Sequence, residues 1–266
     1  MAIFETQNLA VGFAHGKHTT TLLRGLNLKL ENGQLVALLG QNGAGKSTLI
    51  RALTFATKPI EGKILLHGVD FSTITKAERA RLLGLVSTDR IQAGALTVNE
   101  LVGLGRQPYT GFLGRLNADD RAIVADAIGS VGMSHKADRF VANLSDGERQ
   151  KVMIARALAQ HTPIIVLDEP TAFLDAASRI ETMQLLAKLA HEQHKAILLS
   201  THDISRSLML TDQLWVITRD RKVITGPTAE MVKNNEAMNQ VFASTSVTFN
   251  PAHCDYEMTQ RHNERL

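Results

Sequence analysis

The run Gly40-Gln41-Asn42-Gly43-Ala44-Gly45-Lys46-Ser47 fits the phosphate-cradling pattern G-x-x-x-x-G-K-[ST]. Glycines let a backbone wrap closely around an anion with its N–H groups turned inward, and a helix that begins there adds partial positive charge. Gly40, Asn42, Gly43, Ala44, Gly45, Lys46, Ser47 and the adjoining Thr48 are therefore the expected nucleotide-binding residues. Lys46 would reach the β and γ phosphates, and Ser47 would ligate Mg²⁺. Further along, Asp168 and Glu169 end an apolar run; Asp168 is expected to hold Mg²⁺ through water and Glu169 to polarise an attacking water. His202, in Ser200-Thr201-His202-Asp203, ends another such run and could hydrogen-bond the γ-phosphate. The expected chemistry is nucleotide hydrolysis with Lys46, Glu169 and His202 as the catalytic groups. The plain alternatives are a Gly-rich strand-to-helix turn, an acidic turn ahead of Pro170 and a solvated histidine.

These groups are useful only if a rigid frame brings them to one edge. Leu35-Val36-Ala37-Leu38-Leu39, Ile164-Ile165-Val166-Leu167 and Ala196-Ile197-Leu198-Leu199 are short apolar runs of the kind that form strands buried on both faces. Each ends just before one of the chemical motifs. Helical spacing follows Gly45 from Lys46 to Ala56, and recurs through Ile180, Met183, Leu186 and Ala190. That rhythm predicts a parallel sheet covered by helices, with ligands at the carboxyl ends of its strands. Leu26, Leu28 and Leu30 alternate with polar neighbours, so residues 3–39 are expected to be strands joined by turns. Between about Thr97 and Ala159 the pattern is helical, with Val98, Leu101, Val102 and Leu104 in one segment and Ile123, Val124, Ala127, Ile128 and Val131 in another. An inserted helical lobe is expected there, and a polar tail after one or two short helices beyond Gly226.

The 266 residues are 44% hydrophobic and 21% charged, enough apolar material for one large α/β domain. The formal charge of +3 comes from scattered Lys and Arg residues, so nucleic acid is not an expected partner. Cys254 is the only cysteine, which rules out an intrachain disulfide and fits a reducing compartment. No leader-like segment opens the sequence, and no apolar run reaches the roughly 18 residues needed to span a bilayer. His15, His18, His253, Cys254 and His262 have no metal-site spacing.

Between cradle and carboxylates stands Leu144-Ser145-Asp146-Gly147-Glu148-Arg149-Gln150, in which Ser145 and Glu148 form a capping box ahead of Val152, Ile154, Ala155 and Leu158. A helix start of this kind is a second anion site. With it, residues 3–242 resemble the ABC transporter ATPase family, in the order Walker A, signature, Walker B, D-loop, His switch. The resemblance implies an α/β fold: a P-loop NTPase (RecA-like) parallel-sheet core with an N-terminal antiparallel β subdomain and an inserted helical subdomain. It implies one ABC ATPase domain over 1–242, the helical insert at about 90–160, and a C-terminal tail over 243–266. Ser145, Gly147 and Glu148 would face the ATP held by a second copy, so that a homodimer sandwiches two nucleotides. Ala172-Phe173-Leu174-Asp175 resembles the D-loop, which brings Asp175 into the nucleotide set. Phe13 takes the place of the aromatic that stacks on adenine, a core phenylalanine being the alternative.

Within the family, Leu96-Thr97-Val98-Asn99-Glu100-Leu101-Val102 and Gly105-Arg106-Gln107-Pro108-Tyr109 resemble the ATPases of importers for iron–siderophore complexes, haem and cobalamin. The implied partners are membrane permease subunits, which the helical lobe would face, and indirectly a periplasmic or surface binding protein. The implied place is the cytoplasmic face of the membrane, and the implied cofactors are ATP and Mg²⁺. Tyr109 and Phe112 could instead seal the lobe's own small core. A soluble cluster-assembly ATPase is the alternative function; repair ATPases carry long coiled-coil insertions that this chain lacks. Two positions depart from the family. Thr88 stands where the Q-loop Gln is expected, and is taken as a water-mediated contact to the metal; Gln92 lies too far along to replace it. Asp146 stands where Gly is common, and its carboxylate is expected to turn away from nucleotide towards the helix N-terminal amides.

Overall fold

The computed structural model describes residues 2–15, 18–87, 95–111, 114–242 and 247–258. In chain order the first part comprises β1 (Ala2–His15), β2 (His18–Leu26), β3 (Lys29–Glu31), β4 (Leu35–Leu39), α1 (Lys46–Leu53), β5 (Glu61–Leu66), β6 (Val69–Asp70), α2 (Lys76–Leu82) and β7 (Leu83–Val86). Helices α3 (Val98–Gly103), α4 (Ala118–Ser130) and α5 (Asp146–Ala159) follow. The chain continues through β8 (Ile164–Leu167), α6 (Ala176–His191), β9 (Ala196–Ser200), α7 (Ile204–Leu210), β10 (Gln213–Ile217) and β11 (Val223–Pro227). It closes with α8 (Thr228–Lys233), α9 (Glu236–Phe242), β12 (Val247–Asn250) and β13 (Asp255–Met258).

The central sheet runs β7-β8-β9-β4-β10-β11, parallel except for the last pair. Every residue of β4, β8 and β9 is buried, because helices cover one face and α1 with the antiparallel sheet covers the other. The register sets Leu35 opposite Ile197 and Ile164 opposite Ala196, so the carboxyl ends of β4, β8 and β9 come out at one edge. β7 and β10, which were not picked out from the sequence, take their places by pairing with β8 and β4. A second, antiparallel sheet orders β2-β1-β5-β6, with β3 also on β1. Its buried Thr6 is satisfied in both senses: Oγ donates to Leu26 O at 2.9 Å and accepts from Leu28 N at 2.8 Å.

The α3, α4 and α5 helices form the expected lobe. Each begins with a capping box: Thr97 with Glu100, Asn117 with Asp120, and Ser145 with Glu148. Val98, Leu101, Val102, Val124, Ile128, Val152 and Ala155 share one apolar cluster. The Arg106 guanidinium is buried in it, donating to Asp120 Oδ1 at 2.9 Å and to the Ala159 carbonyl at 2.9 Å. That hydrogen bond, more than any other influence, holds the Asp120 carboxyl below the ordinary carboxylate range. Gly105 is what allows this approach, since a Cβ there would lie 2.3 Å from Arg156 O.

Within the expected tail, residues 247–258 form an antiparallel hairpin. Phe249 is buried with Met238 and Val241, and its ring meets Tyr256 edge-on at 5.3 Å. The Tyr256 hydroxyl donates to Met238 O, and burial pushes its pKa upward. A pair of aromatics among polar neighbours gives little periodicity, so the hairpin was invisible to the pattern. Among the described residues no helix is long and apolar enough to cross a membrane.

Replacing Gly105 by Ala should lower stability by about 2 kcal/mol, because the obstructing atom is backbone and cannot rotate away. Urea unfolding of the two proteins measures this, and an unchanged midpoint would contradict the packing.

Candidate nucleotide site

The cradle starts where β4 leaves the sheet. Gly43 at φ 78° and Gly45 at φ 109° take left-handed backbone, and Gly45 stands at the N-cap of α1. No side chain caps this helix and its first turn holds no acidic residue, so the free N–H groups face the loop without a competing anion. Leu22 and Leu23 of β2 lie 3.7 Å from the position of a Gly45 Cβ, which ties the cradle to the antiparallel sheet. The Lys46 ammonium is buried and donates to Gly40 O at 2.9 Å and Gln41 O at 3.4 Å. Ser47 and Asn42 are exposed, and Thr48 is half-buried.

Opposite the lysine is the end of β8. Asp168 N donates to Val86 O at 2.9 Å, continuing the ladder one residue past the strand. Ser200 then links the two acids: its Oγ donates to Asp168 Oδ1 at 2.6 Å and accepts from Glu169 N at 2.9 Å. Glu169 adopts φ 47°, a left-handed backbone unfavourable to a residue with a Cβ. The turn carries its carboxylate in between two cationic or polar groups. Oε1 lies 3.7 Å from Lys46 Nζ, and Oε2 lies 3.7 Å from His202 Nδ1. His202 is held by a buried neighbour, Thr201, whose N donates to Leu38 O at 3.2 Å and whose Oγ accepts from Asp203 N at 2.9 Å. Gly40, Gln41, Asn42, Thr201, His202 and Ile204 line a cavity of about 360 Å³ beside this group.

The structure thus brings Lys46, Asp168, Glu169 and His202 to one sheet edge. Sequence reading missed Ser200, which joins the Asp168 carboxylate to the Glu169 backbone amide. A polar residue ending a run of four buried aliphatics was the available signal.

Ser145, Gly147, Glu148 and Asp175 form a separate group. Ser145 Oγ accepts from Glu148 N at 3.3 Å, and Glu148 Oε2 accepts from Ser145 N at 3.1 Å. Glu148 also pairs with Lys136, whose hydrogen bond is the main reason its carboxyl stays below the usual range. Asp175 caps α6, accepting from Ser178 N at 2.9 Å, and is held low in pKa by that bond. The two caps meet closely: a Cβ on Gly147 would lie 2.6 Å from Ser178 Oγ. Among the described residues no hydrogen bond or ion pair joins Ser145, Gly147 or Glu148 to Lys46, Glu169 or His202. Asp146 does turn its carboxylate to a cation, accepting from Arg149 Nη1 at 3.2 Å rather than from the helix amides. Phe13 is 57% exposed on β1 opposite Thr20, so it is not a core residue. Thr88, Gln92, Phe112 and His262 lie outside the described residues.

The donors near the cradle are hard oxygens, the Ser47 hydroxyl and the Asp168 carboxylate, which suits Mg²⁺. Mg²⁺ takes few protein ligands when phosphates supply others, so the lack of a cluster of three His, Cys, Asp or Glu among the described residues is compatible with it.

Residues 23–172 match the family model described as ABC transporter. The iron(3+)-hydroxamate import ATP-binding protein FhuC of Bacillus subtilis is 33% identical over 242 residues, covering 91% of this chain and 88% of that protein. The ferric enterobactin transport ATP-binding protein FepC of Escherichia coli is 34% identical over 226 residues, covering 85% and 82%. Among solved structures, an ABC transporter of metal-chelate type in an inward-facing conformation superposes with a TM-score of 0.78 at 27% identity, covering 91% of this chain and 90% of that one. A dimeric bacterial ABC transporter cassette gives 0.72 at 27% identity, covering 85% and 98%. With cradle, paired carboxylates and capped signature helix set on one α/β core, the chain belongs to the ABC transporter family of ATP-binding subunits.

Proposed function

We propose that this chain is the ATP-hydrolysing subunit of an importer for an iron chelate, acting as a homodimer on the cytoplasmic side of membrane permease subunits. The observation that carries the hydrolytic reading is Glu169, set between Lys46 and His202 at 3.7 Å from each, at the sheet edge beside the cradle. The cargo class rests on relatives whose names include hydroxamate and enterobactin transport. Cobalamin import proteins of Halobacterium salinarum, 37% identical over 202 residues, make that compound the next cargo to test, with haem after it. A periplasmic or surface binding protein would deliver the cargo.

In this reading the loop from Gly40 to Ser47 wraps the triphosphate, and Phe13 stacks on adenine. Lys46 exchanges its carbonyl partners for the β and γ phosphates, leaving Gly40 O and Gln41 O to the loop. Ser47 and Asp168 would hold Mg²⁺, with Thr88 contributing through water; the ion would neutralise charge on the phosphates. Glu169 accepts a hydrogen bond from the attacking water and draws its proton, while His202 orients the γ-phosphate. Ser145, Gly147 and Glu148, which share no hydrogen bond or ion pair with Lys46, Glu169 or His202 among the described residues, would close on the nucleotide of the second copy. Asp175 would link the two sites at the same face. The Asp146–Arg149 pair leaves the partner's phosphates facing the Ser145 end of the helix, with a compensated carboxylate.

Recovery of the tagged protein from gently solubilised membranes should bring down a polytopic permease, with ATPase activity stimulated by a ferric chelate. Recovery of soluble partners alone would overturn the importer. Glu169→Gln should slow ATP turnover roughly 10²- to 10⁴-fold while leaving nucleotide affinity near its original value. Equal losses in turnover and in affinity, measured by titration with a fluorescent ATP analogue, would reassign the base. Ser200→Ala removes a hydrogen bond to a charged acceptor in a buried site, and should cost about 1.5–3 kcal/mol of stability. It should also lower kcat more than KM, since Glu169 loses the contact that fixes its backbone.

A further inference from the structure

The lobe leaves the core after β7 and returns through the α5–β8 junction, and at these crossings directional contacts add to the apolar cluster that α5 shares with β7, β8 and α6. Polar contacts crowd there. Gln160, the C-cap of α5, donates through Nε2 to Ala80 O at 2.6 Å and Leu83 O at 3.2 Å, joining the end of α5 to the end of α2. Arg81, in the last turn of α2, reaches across to the lobe. Its Nε and Nη2 both donate to Pro108 O, at 3.0 and 2.9 Å, and its guanidinium lies 5.2 Å from the Tyr109 ring centroid. On the lobe side Arg106, fixed by Asp120 and Ala159 O, lies 4.0 Å from the same centroid. Tyr109 therefore carries two guanidiniums, one from the core and one from the lobe, and is still 37% exposed.

We propose that Arg81 is a positioning residue that, by clasping Pro108 and Tyr109, sets the angle at which the lobe presents Ser145. This rests on the proposed function, in which Ser145 closes on the partner's nucleotide. The leverage comes from α5. It has 14 residues, roughly 20 Å of helix, so a turn of about 10° at its Ala159 end moves Ser145 by roughly 3–4 Å. That displacement exceeds a hydrogen bond. A contact at the pivot thus controls a distant donor, even though it is exposed and contributes little to overall stability. Arg81 suits this task because two of its N–H groups fork onto one carbonyl while its plane reaches the ring; lysine cannot do both.

The test uses the full chain with Cys254→Ser and spin labels at Lys63→Cys in β5 and Ala125→Cys in α4, both exposed positions. The unaltered clasp should give one narrow core-to-lobe distance. Arg81→Ala and Tyr109→Ala should broaden it and lower kcat for ATP roughly threefold or more, with KM within about twofold. Arg81→Lys should behave as the alanine variant, and Tyr109→Phe, which keeps the ring, as the original. Unchanged distances and kcat in both alanine variants would overturn the clasp. So would a raised KM at constant kcat, or a melting temperature lowered in step with kcat by all four substitutions. The distance measurement needs no turnover, so if the original protein hydrolyses no ATP, the proposed function fails and the distances alone decide the clasp.

Discussion

A single hydroxyl with two partners holds the acidic side of the site: Ser200 Oγ donates to Asp168 and accepts from the Glu169 amide. Two successive carboxylates at a strand end repel each other and have no reason to share a direction. The serine gives them different ones. By accepting from the Glu169 amide it stabilises a left-handed turn that costs roughly 1–2 kcal/mol for a residue with a Cβ. The turn sends the glutamate towards Lys46 and His202, while Asp168 stays in line with the ladder through Val86. The parallel register of β8 with β9 is what makes the bond possible, since it brings the ends of both strands to one edge.

The lysine side obeys the same constraint in another way. A buried ammonium needs acceptors, and in Lys46 these are carbonyls of its own loop. The loop is thereby held in a curve that fits a phosphate group, and the phosphate would replace the carbonyls with stronger, charged acceptors. Cradle and carboxylates thus come preformed on the sheet edge. Ser145 is held to its own helix by a capping box, and α5 meets α6 through the Gly147–Ser178 approach. In the proposed function this becomes a division of labour, in which one surface would bind nucleotide and the other would present donors to a second copy.

Much of this was legible from residue types because the elements bearing the chemistry are also those with the cleanest patterns. Leu35–Leu39 and Ile164–Leu167 are aliphatic throughout, and each is followed at once by its functional residues. The capping box of α5 could be read because Ser145 and Glu148 are three residues apart. Ser200 could not, because its two partners lie 32 and 31 residues away and are brought to it by register alone. The hairpin over 247–258 failed for a different reason: its burial comes from Phe249 and Tyr256 packing on α9, a tertiary effect without local period. Asp146 was expected to turn towards the helix N-terminal amides, and its partner is instead Arg149, one turn on. An i,i+3 cation competes well with amides already engaged by Ser145.

The same distinction between local and relayed contacts explains why the lobe needs a fixed pivot. Its own core, built on Val98, Leu101, Val124 and Val152, makes it a rigid body, but rigidity within the lobe does not fix its angle to the sheet. One apolar cluster runs from the lobe to Val86, Leu167 and Leu186, and the directional contacts beside it are Gln160 on the Ala80 and Leu83 carbonyls and Arg81 on Pro108 O. Directional bonds define an orientation where apolar contact would allow sliding. They are also exchangeable for water at modest cost, so they add direction to the lobe without locking it. The apolar cluster alone would tolerate sliding, and a buried ion pair would be costly to break.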